Sequence, residues 1–386
     1  MATEHIRDAL KEGFKVVVVV SAMGRMNDPY ATDTLLSLIG GNKPLVTKRE
    51  QDLLMSCGEI ISSVTFAHTL LDKGINATAL TGAQAGIRTN NDYTNAKIID
   101  LSCERLLSEL KEHDAVVVAG FQGMAQNGDV TTLGRGGSDT TAAALGVALQ
   151  AERIDIFTDV EGIMTADPRI AEKARPLTHV TYTEVCNLAY QGAKVIHPRA
   201  VEIAMHGRIP IRIRSTYSKG LGTLVSHESE FSGKFTADRT VTGIAHLAPV
   251  TQIKVEAVND QYDLQTKVFK AMANAKISVD FINISPKGVA YTVADEMTEK
   301  ALNVLKEQGF DPEIVRNCAK VSVVGGGIAG VPGITARIVT ALSNNGIRIL
   351  QSADSHTTIW VLVKQSDLFS AVNALHDEFQ LGEKVL

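Results

Sequence analysis

Short apolar strands that alternate with amphipathic helices constrain the fold of this chain more than any other feature. A helical pattern over 5–13 is followed at once by a β-branched run over 15–20. The pattern recurs, with helical segments over 62–72, 104–112 and 139–149 preceding apolar runs over 77–80, 115–119 and 153–157. Strands that are apolar on both faces and separated by helices predict an α/β domain with a mostly parallel sheet covered on both sides. In such sheets, ligands bind at the loops that follow the strands.

The last third of the chain contains an internal repeat with an offset of seventy positions. Ala271 and Asn274 recur as Ala341 and Asn344, and the intervening positions match in residue type. Each copy predicts the order strand, helix, strand, strand, helix, which is typical of ferredoxin-like modules. Neither copy carries a cluster of ionisable side chains, so the pair favours a sensor over an active site. The sequence thus predicts a catalytic domain over 1–225, a linker and the start of the regulatory region over 226–250, and modules over 251–316 and 317–386.

Charge and cysteine usage exclude several classes of partner. Lys and Arg number 38 against 43 Asp and Glu, a net charge of −5, which argues against nucleic acid and anionic membranes as partners. No strongly apolar run approaches the ~20 residues of a membrane helix. The 4 cysteines are widely spaced without a Cys-x-x-Cys pair, so we expect a cytoplasmic protein without a disulfide framework or a protein-bound metal site.

The segment Leu-Gly-Arg-Gly-Gly-Ser-Asp-Thr-Thr over 133–141 is a candidate anion site. Its glycines let backbone N–H groups approach an anion, and Ser138 or Asp139 is expected to cap the helix that follows. Arg135 offers a planar fork suited to a carboxylate. The segment is neither a Walker A nor a dinucleotide fingerprint, and by itself an ordinary Gly-rich turn is an equal alternative.

A second candidate loop follows the strand over 153–157. It places Asp159, Glu161, Asp167 and Arg169 beyond the strand end, where carboxylates are suited to a magnesium–nucleotide complex. Acidic loops are nevertheless more often solvated turns.

The first 60 residues provide further candidates. Ser21 directly follows a strand, Thr32 is expected to cap a helix, and Glu59 is expected at another helix start, where its carboxylate would receive an ammonium group. Capping is the alternative for Thr32 and for Glu59. Farther along the chain, Lys194 and Arg199 lie near a helix start, with ordinary surface residues as the alternative for both. His197, which precedes a proline, favours a structural role.

Taken together, these segments resemble the aspartokinase family. The resemblance rests on ordered motifs spread over the chain: Val-Ser-Ala-Met-Gly at 20–24, Thr-Asp-x-Leu-Leu at 32–36, Cys-Gly-Glu at 57–59, Leu-Thr-Gly-Ala-Gln-Ala-Gly at 80–86, Val-Ala-Gly-Phe-Gln-Gly at 118–123, Gly-Arg-Gly-Gly-Ser-Asp at 134–139, Phe-Thr-Asp-Val-Glu-Gly at 157–162, Thr-Ala-Asp-Pro-Arg at 165–169 and Gly-Ala-Lys-Val-x-His-Pro at 192–198. It implies an amino-acid-kinase fold followed by two tandem ACT domains, and it is strongest for the Bacillus-type, diaminopimelate-sensitive isozyme. The implied reaction uses MgATP to convert L-aspartate to 4-phospho-L-aspartate, the entry step to diaminopimelate, lysine, threonine and methionine.

The resemblance also implies roles for individual residues. The aspartate-binding residues would be Ser21, Thr32, Glu59 and Arg135, with Glu59 on the α-ammonium and Arg135 on the α-carboxylate. The residues around the transferring phosphoryl group would be Arg135, Gly136, Gly137 and Ser138, and those around ATP would be Ser138, Thr158, Asp159, Asp167, Arg169 and Lys194. The β-carboxylate of aspartate is ionised at neutral pH, so the reaction requires alignment and neutralisation of phosphate charge rather than a general base.

Regulation is expected in the two C-terminal modules. The implied effector-binding residues are Gln265, Asp280, Asn283, Gly330, Val331, Pro332 and Gln351, and the modules would also form a homodimer. The effector is left open among meso-diaminopimelate, lysine and threonine, with meso-diaminopimelate favoured by the resemblance.

One motif of the family is absent before the first helix. The family opens with a strand and Lys-Phe/Tyr-Gly-Gly, whose lysine and glycines hold the ATP phosphates, so we expect a chain that begins at an internal methionine or a product that lacks this strand. Without the lysine, weak ATP binding is expected. Two alternatives to an active aspartokinase follow: a catalytically inactive amino-acid sensor or regulatory subunit, and a kinase of the same fold acting on a glutamate derivative or a nucleotide.

Overall fold

The computed structural model describes residues 1–41, 44–193, 195–227, 240–257 and 263–383. Its internal contacts divide the chain into two compact units. The first unit comprises Met1–Ile163, Leu177–Cys186 and Lys194–Phe231, and the second comprises Met164–Pro176, Asn187–Ala193 and Ser232–Leu386. The second unit thus includes two short segments from the stretch 1–225, and the boundaries of the four ranges given above stay a prediction.

The first unit is built from short strands and seven helices within the described ranges. The helices are α1 (Ala2–Lys11), α2 (Thr32–Ser37), α3 (Lys48–Asp72), α4 (Glu104–Glu112), α5 (Gly137–Ala148), α6 (Tyr182–Tyr190, which continues into the second unit) and α7 (Pro198–Gly207). The strands are β1 (Val16–Val20), β2 (Ala77–Leu80), β3 (Ile87–Thr89), β4 (Ile98–Leu101), β5 (Ala115–Ala119), β6 (Gln122–Ala125), β7 (Val130–Thr132), β8 (Ile154–Thr158), β9 (His179–Thr181), β10 (Ile211–Ser215) and β11 (Thr223–Ser226).

These strands form three sheets. The sheet with the order β1-β5-β2 is parallel throughout, in register from Val16 opposite Ala115. The sheets β8-β10-β11-β9 and β4-β3-β6-β7 each combine parallel and antiparallel pairs. The second sheet is still mostly parallel, since β10-β8 and β11-β9 are parallel and only β10-β11 is antiparallel, whereas two of the three pairs in the third sheet are antiparallel. The mostly parallel sheet predicted from the sequence is therefore found in part.

Helices cover the parallel sheet on both faces, as the apolar strands predicted. Val117 of β5 packs in one core with residues of α1 and α3, while Val116 and Val118 pack in another with Leu106 of α4 and Leu145 of α5. All three valines are fully buried. The carboxyl ends of β1 and β5 consequently lie side by side and open onto the loops that carry the candidate residues.

Helix α3 is longer than the sequence predicted. It begins at Lys48 rather than near 62, after a capping box formed by Thr47 and Glu50. It is the one helix of the described residues that is long and apolar enough to cross a membrane, which the search for apolar runs missed. Core helices of soluble proteins meet the same criterion, and α3 buries Asp52 and Glu59 within the first unit.

The second unit contains one antiparallel sheet with the order β13-β14-β12-β15-β17-β16. Its strands are β12 (Gly243–Glu256), β13 (Asp280–Ser285), β14 (Gly288–Ala294), β15 (Glu313–Val324), β16 (Gln351–Asp354) and β17 (Thr358–Lys364). Its helices are α8 (Leu264–Asn274), α9 (Thr298–Glu307), α10 (Ile334–Asn344) and α11 (Leu368–Glu378). The order β-α-β-β-α occurs twice, each copy has its own apolar core, and the long strands β12 and β15 join the copies.

Candidate active site

Glu59 lies in the middle of α3 and contacts the loop after β1. Its Oε1 accepts a hydrogen bond from the backbone N–H of Ala22 at 3.0 Å, while its Oε2 is buried without a hydrogen-bond partner among the described residues. The residue is 3% exposed, and burial raises the pKa of its carboxyl group to about 7. The expected position at a helix start is wrong, and with it the capping alternative. A buried carboxylate with one free oxygen is suited to a cationic ligand.

The loop after β1 and helix α2 pack closely on α3. A Cβ added to Gly58 would lie 2.8 Å from the Cβ of Ala22 and 3.0 Å from the carbonyl oxygen of Tyr30. This close approach places the loop with the exposed Ser21, and helix α2 with the half-buried Thr32, against the middle of α3. Thr32 does not cap α2 as predicted, because the N-cap is Ala31 and no side chain caps that end. Its hydroxyl is therefore not engaged as a cap.

Two glycines with positive φ fix the backbone on both sides of Arg135. Gly134 has φ 74° and Gly136 has φ 68°, a region that side chains other than glycine rarely adopt. A Cβ at Gly136 would also lie 2.3 Å from the Cβ of His197. Arg135 itself is exposed and has no hydrogen bond or ion pair with any other described residue. Its guanidinium group is therefore free for a carboxylate.

The N-terminus of α5 meets the ends of β1 and β5. Gly136 is the N-cap, so the predicted capping by Ser138 or Asp139 is wrong, although the helix itself is present. A Cβ at Gly120 would lie 2.9 Å from both Ser138 Oγ and the carbonyl oxygen of Val20. The N–H of Gly137 donates to the carbonyl oxygen of Gly134 at 3.0 Å, while the N–H groups of Gly136 and Ser138 have no acceptor among the described residues. These two groups lie at the carboxyl end of the parallel sheet, where an anion is stabilised.

Asp139 and His197 complete this end of the helix. The backbone N–H of His197 donates to Asp139 Oδ2 at 3.3 Å, and burial raises the pKa of the Asp139 carboxyl group. His197 is the N-cap of α7 and accepts from the N–H of Arg199 through Nδ1 at 3.3 Å, which confirms its predicted structural role. Asp139, by contrast, was considered only as a cap.

The predicted nucleotide residues fall into three groups. Thr158 ends β8, and its hydroxyl donates to Asp159 Oδ1 at 3.3 Å, while Asp159 Oδ2 lies 3.4 Å from Arg25 of the loop after β1. This contact connects two loops of the first unit. Asp167 and Arg169 belong to the second unit and form an ion pair of 2.7 Å that lowers the pKa of Asp167. Lys194 lies outside the described residues.

The predicted regulatory residues also fall into separate groups in the structure. Asp280 forms an ion pair with the buried Lys320, and Gln351 accepts from Gln252 Nε2 at 2.8 Å and donates to the carbonyl oxygen of Phe281. These contacts join the two copies of the repeat. Two other predicted residues, Gly330 and Val331, line a groove of about 630 Å³ together with Asp354, Ser355 and His356. The remaining three, Gln265 at the start of α8, the exposed Asn283 and the exposed Pro332, are not among the residues that line this groove.

Sequence reasoning missed one buried group of this site altogether. Asp52 of α3 is fully buried and accepts hydrogen bonds from Thr94 and Thr132, which lie 42 and 80 positions away. The available signal was its spacing of seven residues from Glu59, which places both carboxylates on one face of a helix.

Comparisons with known proteins agree over nearly the whole chain. Residues 2–215 match the model of the amino acid kinase family, and residues 313–377 match a model of the ACT domain. Aspartokinase 1 of Bacillus subtilis (strain 168) is 64% identical over 384 residues, covering 99% of this chain and 95% of the relative.

Solved structures give the same result. The structure of E. coli aspartokinase III in complex with aspartate and ADP (R-state) has a TM-score of 0.79 and 25% identity, covering 98% of this chain and 96% of that one. The same enzyme with lysine and aspartate (T-state) has a TM-score of 0.77 and 26% identity, covering 97% and 95% of the two chains.

Proposed function

This chain belongs to the aspartokinase family, and we propose that its reaction takes place at the site around Glu59, Arg135 and Ser138. As an ATP-dependent aspartate kinase it transfers the γ-phosphate of ATP to the β-carboxylate of L-aspartate, giving 4-phospho-L-aspartate, the first step towards diaminopimelate, lysine, threonine and methionine. The relationship over 99% of the chain supports an active kinase rather than the inactive sensor or a kinase for another substrate.

The site assignment rests on two ionisable groups without charged partners in the described part of the chain, the carboxyl group of Glu59 and the guanidinium group of Arg135. Glu59 Oε2 is buried without a partner among the described residues, and Arg135 has none either, so an amino acid can satisfy both through its ammonium and carboxylate groups. Ser21 and Thr32 line the side of Glu59. The β-carboxylate of a bound aspartate is then free to attack the γ-phosphate.

The chemistry requires stabilisation of phosphate charge rather than proton transfer. The N–H groups of Gly136 and Ser138 at the start of α5 would neutralise charge on the transferring phosphoryl group, with Gly137 between them holding the turn through its N–H bond to Gly134. Thr158 and Asp159 would contact the nucleotide from the adjacent loop, while the nucleotide roles that the resemblance implies for Asp167, Arg169 and Lys194 stay predictions. Mg²⁺ enters with ATP as part of the substrate and screens the phosphates.

We further propose that both copies of the repeat are ACT modules and that the enzyme acts in the cytoplasm. The ACT model covers the second copy, and the first copy repeats its element order and core. E. coli aspartokinase III has been solved with lysine bound, which supports an amino-acid effector here. We favour meso-diaminopimelate over lysine and threonine, bound through Asp280 and Gln351 or in the groove of Gly330 and Val331, in a homodimer formed by the modules.

The test follows ADP release with L-aspartate and with N-acetyl-L-aspartate, which lacks the ammonium group. We expect turnover of L-aspartate only, and a large rise in the aspartate KM of Glu59→Gln with little change in the KM for ATP. Glu104→Gln is the matched control, because Glu104 is an exposed carboxylate at the start of α4 and belongs to none of the candidate sites. An unchanged aspartate KM in Glu59→Gln would overturn the site assignment.

A further inference from the structure

Asp52 is a buried carboxylate that is held by hydrogen bonds alone. It is 0% exposed, and it forms no ion pair with any other described residue. Its two oxygens accept from the N–H of Thr94 at 3.1 and 3.0 Å, from the N–H of Thr132 at 2.9 Å and from Thr132 Oγ1 at 2.6 Å. Burial raises the pKa of Asp52, and these hydrogen bonds oppose that rise. Both oxygens are therefore used within the protein, unlike those of Glu59.

These contacts connect the two segments that carry the aspartate-binding charges. On α3, Asp52 precedes Glu59 by seven residues, which is two helical turns or about 10 Å along the same face. On the other side, Thr132 ends β7 and is separated from Arg135 only by Leu133 and Gly134. Asp52 thus joins the helix of the carboxylate to the strand that leads into the arginine loop.

The other contacts of that loop make it a rigid extension of Thr132. The N–H of Leu133 donates to the carbonyl oxygen of Phe121 at 2.8 Å, and the carbonyl oxygen of Leu133 accepts from Arg199 at 3.1 Å. The carbonyl oxygen of Thr132 accepts from the N–H of Ala96 at 2.9 Å. A displacement of Thr132 relative to α3 would therefore move Arg135 relative to Glu59.

We propose that Asp52 is a positioning residue that sets the distance between Glu59 and Arg135, and so the fit of the site to the two charged α-groups of aspartate. This inference rests on the proposed function of that site. Asp52 does not touch the substrate, so its loss should act mainly on the binding of aspartate. Gly136 and Ser138 follow Arg135 in the same loop and face the transferring phosphoryl group, whereas Thr158 and Asp159 would contact the nucleotide from another loop, so the binding of ATP should change less.

The first test is Asp52→Asn, which keeps the shape but replaces one acceptor oxygen by a donor that faces Thr94 or Thr132. We expect the aspartate KM to rise on the order of tenfold or more, because misplacement of about 1 Å has effects of up to a hundredfold. The KM for ATP should rise by a smaller factor than the aspartate KM, because Thr158 and Asp159 lie in a loop that Asp52 does not contact. Ser63→Ala is the matched control, since Ser63 is a buried polar residue of α3 whose Oγ donates only to Ile60 of the same helix.

The second test asks whether the effect passes through Arg135. In an Arg135→Ala background, Asp52→Asn should raise the aspartate KM by less than about twofold, because the group that it positions is already gone. Thr132→Val, which removes a single hydrogen bond to Asp52 in an isosteric side chain, should raise the aspartate KM several-fold and decides the matter if Asp52→Asn fails to fold.

The outcomes separate the inference from the proposed function. If Arg135→Ala leaves the aspartate KM unchanged, the assignment of the site itself is wrong. If Arg135→Ala raises that KM but Asp52→Asn and Thr132→Val do not, or if the effects of Asp52→Asn and Arg135→Ala simply add, the positioning role is overturned.

Discussion

The two binding regions of this enzyme use their charged groups in opposite ways. In the first unit, Glu59 keeps one carboxylate oxygen unpaired and Arg135 has no partner among the described residues. In the second unit, the residues with the strongest claim to an effector are already engaged, Asp280 by Lys320 and Gln351 by two hydrogen bonds. In the proposed substrate site the charged groups are available before a ligand binds, whereas the predicted regulatory residues Asp280 and Gln351 hold the two copies of the repeat together.

This difference fits the two proposed functions, which are substrate binding in the first unit and regulation in the second. A preformed site with unpaired charges binds its ligand without rearrangement, and its binding energy is available for alignment. A ligand that binds at engaged residues must replace internal contacts, so its binding changes the arrangement of the modules. A ligand shifts a conformational equilibrium only by its different affinities for the two states, and such exchange of contacts provides that difference.

The largest effect should come from the cation of the preformed site. Arg135→Ala is expected to weaken aspartate binding by ~2–4 kcal/mol, because it removes a charge-assisted, bidentate contact from a group that makes no other. The measurement is the aspartate KM with ATP saturating. Arg105→Ala is the control, since Arg105 lies in an exposed pair with Glu109 on α4. If both variants behave alike, Arg135 does not bind the substrate.

The unpaired carboxylate of the same site should make stability depend on pH. The pKa of Glu59 is about 7 in the folded protein against an ordinary 4.5, so between these values the folded state retains a proton that the unfolded state has released. The free energy of unfolding of the unliganded enzyme should therefore fall by about 3 kcal/mol as pH rises through this window. Urea unfolding at several pH values measures it.

The variant Glu59→Gln provides the comparison for this measurement. Glutamine has no titratable group, so the free energy of unfolding of this variant should lack the pH dependence that Glu59 contributes. Aspartate should restore stability to the wild type mainly above pH 7, where Glu59 is ionised and can pair with the ammonium group. Equal slopes in the wild type and in Glu59→Gln would show that Glu59 does not titrate near neutral pH.

The sequence predicted the scaffold of this site better than its polar interior. The strands β2 and β5 and the helix α4 begin and end where the apolar pattern placed them. The strand β5 is buried over its whole length, β2 is buried at both ends, and α4 buries Leu106 against the sheet. The start of α3 was not predicted, since Asp52 and Glu59 are buried polar residues that interrupt the apolar periodicity by which a helix is recognised.

Contacts between segments that are distant in sequence account for the other features that the sequence did not predict. Nothing in the local sequence shows that Asp52 accepts from Thr132, 80 positions away, or that Gln351 reaches Phe281. Likewise the caps of α2 and α5 are Ala31 and Gly136, because neighbouring segments approach these helix ends closely and the usual capping side chains are not used.

The regulatory region should respond to loss of its carboxylate. Asp280→Ala is expected to abolish the coupling between effector and activity, typically ~1–3 kcal/mol, while uninhibited turnover is retained. Thermal-shift titrations with meso-diaminopimelate, lysine and threonine, combined with inhibition assays, measure it. Asp311→Ala, which changes an exposed carboxylate outside these contacts, is the control. Full inhibition of Asp280→Ala would place the effector elsewhere, with the groove of Gly330 and Val331 as the alternative.

The smallest effect is expected from the ion pair between Asp280 and Lys320, which should compete with the binding of an effector to Asp280. The side chain of Lys320 is 4% exposed and that of Asp280 is 60% exposed, so the ammonium group pairs with a carboxylate that solvent and ligands can reach. An effector ammonium that binds Asp280 must displace Lys320, and this costs part of its binding energy.

Lys320→Met removes the competitor and fills the same space, so effector affinity should rise by about 1 kcal/mol, roughly fivefold. The free energy of unfolding should change little, because replacing a buried charge by a packed apolar side chain is often neutral. Isothermal titration of the wild type and Lys320→Met decides the point, since weaker binding to the variant would mean that Lys320 contacts the effector rather than competing with it.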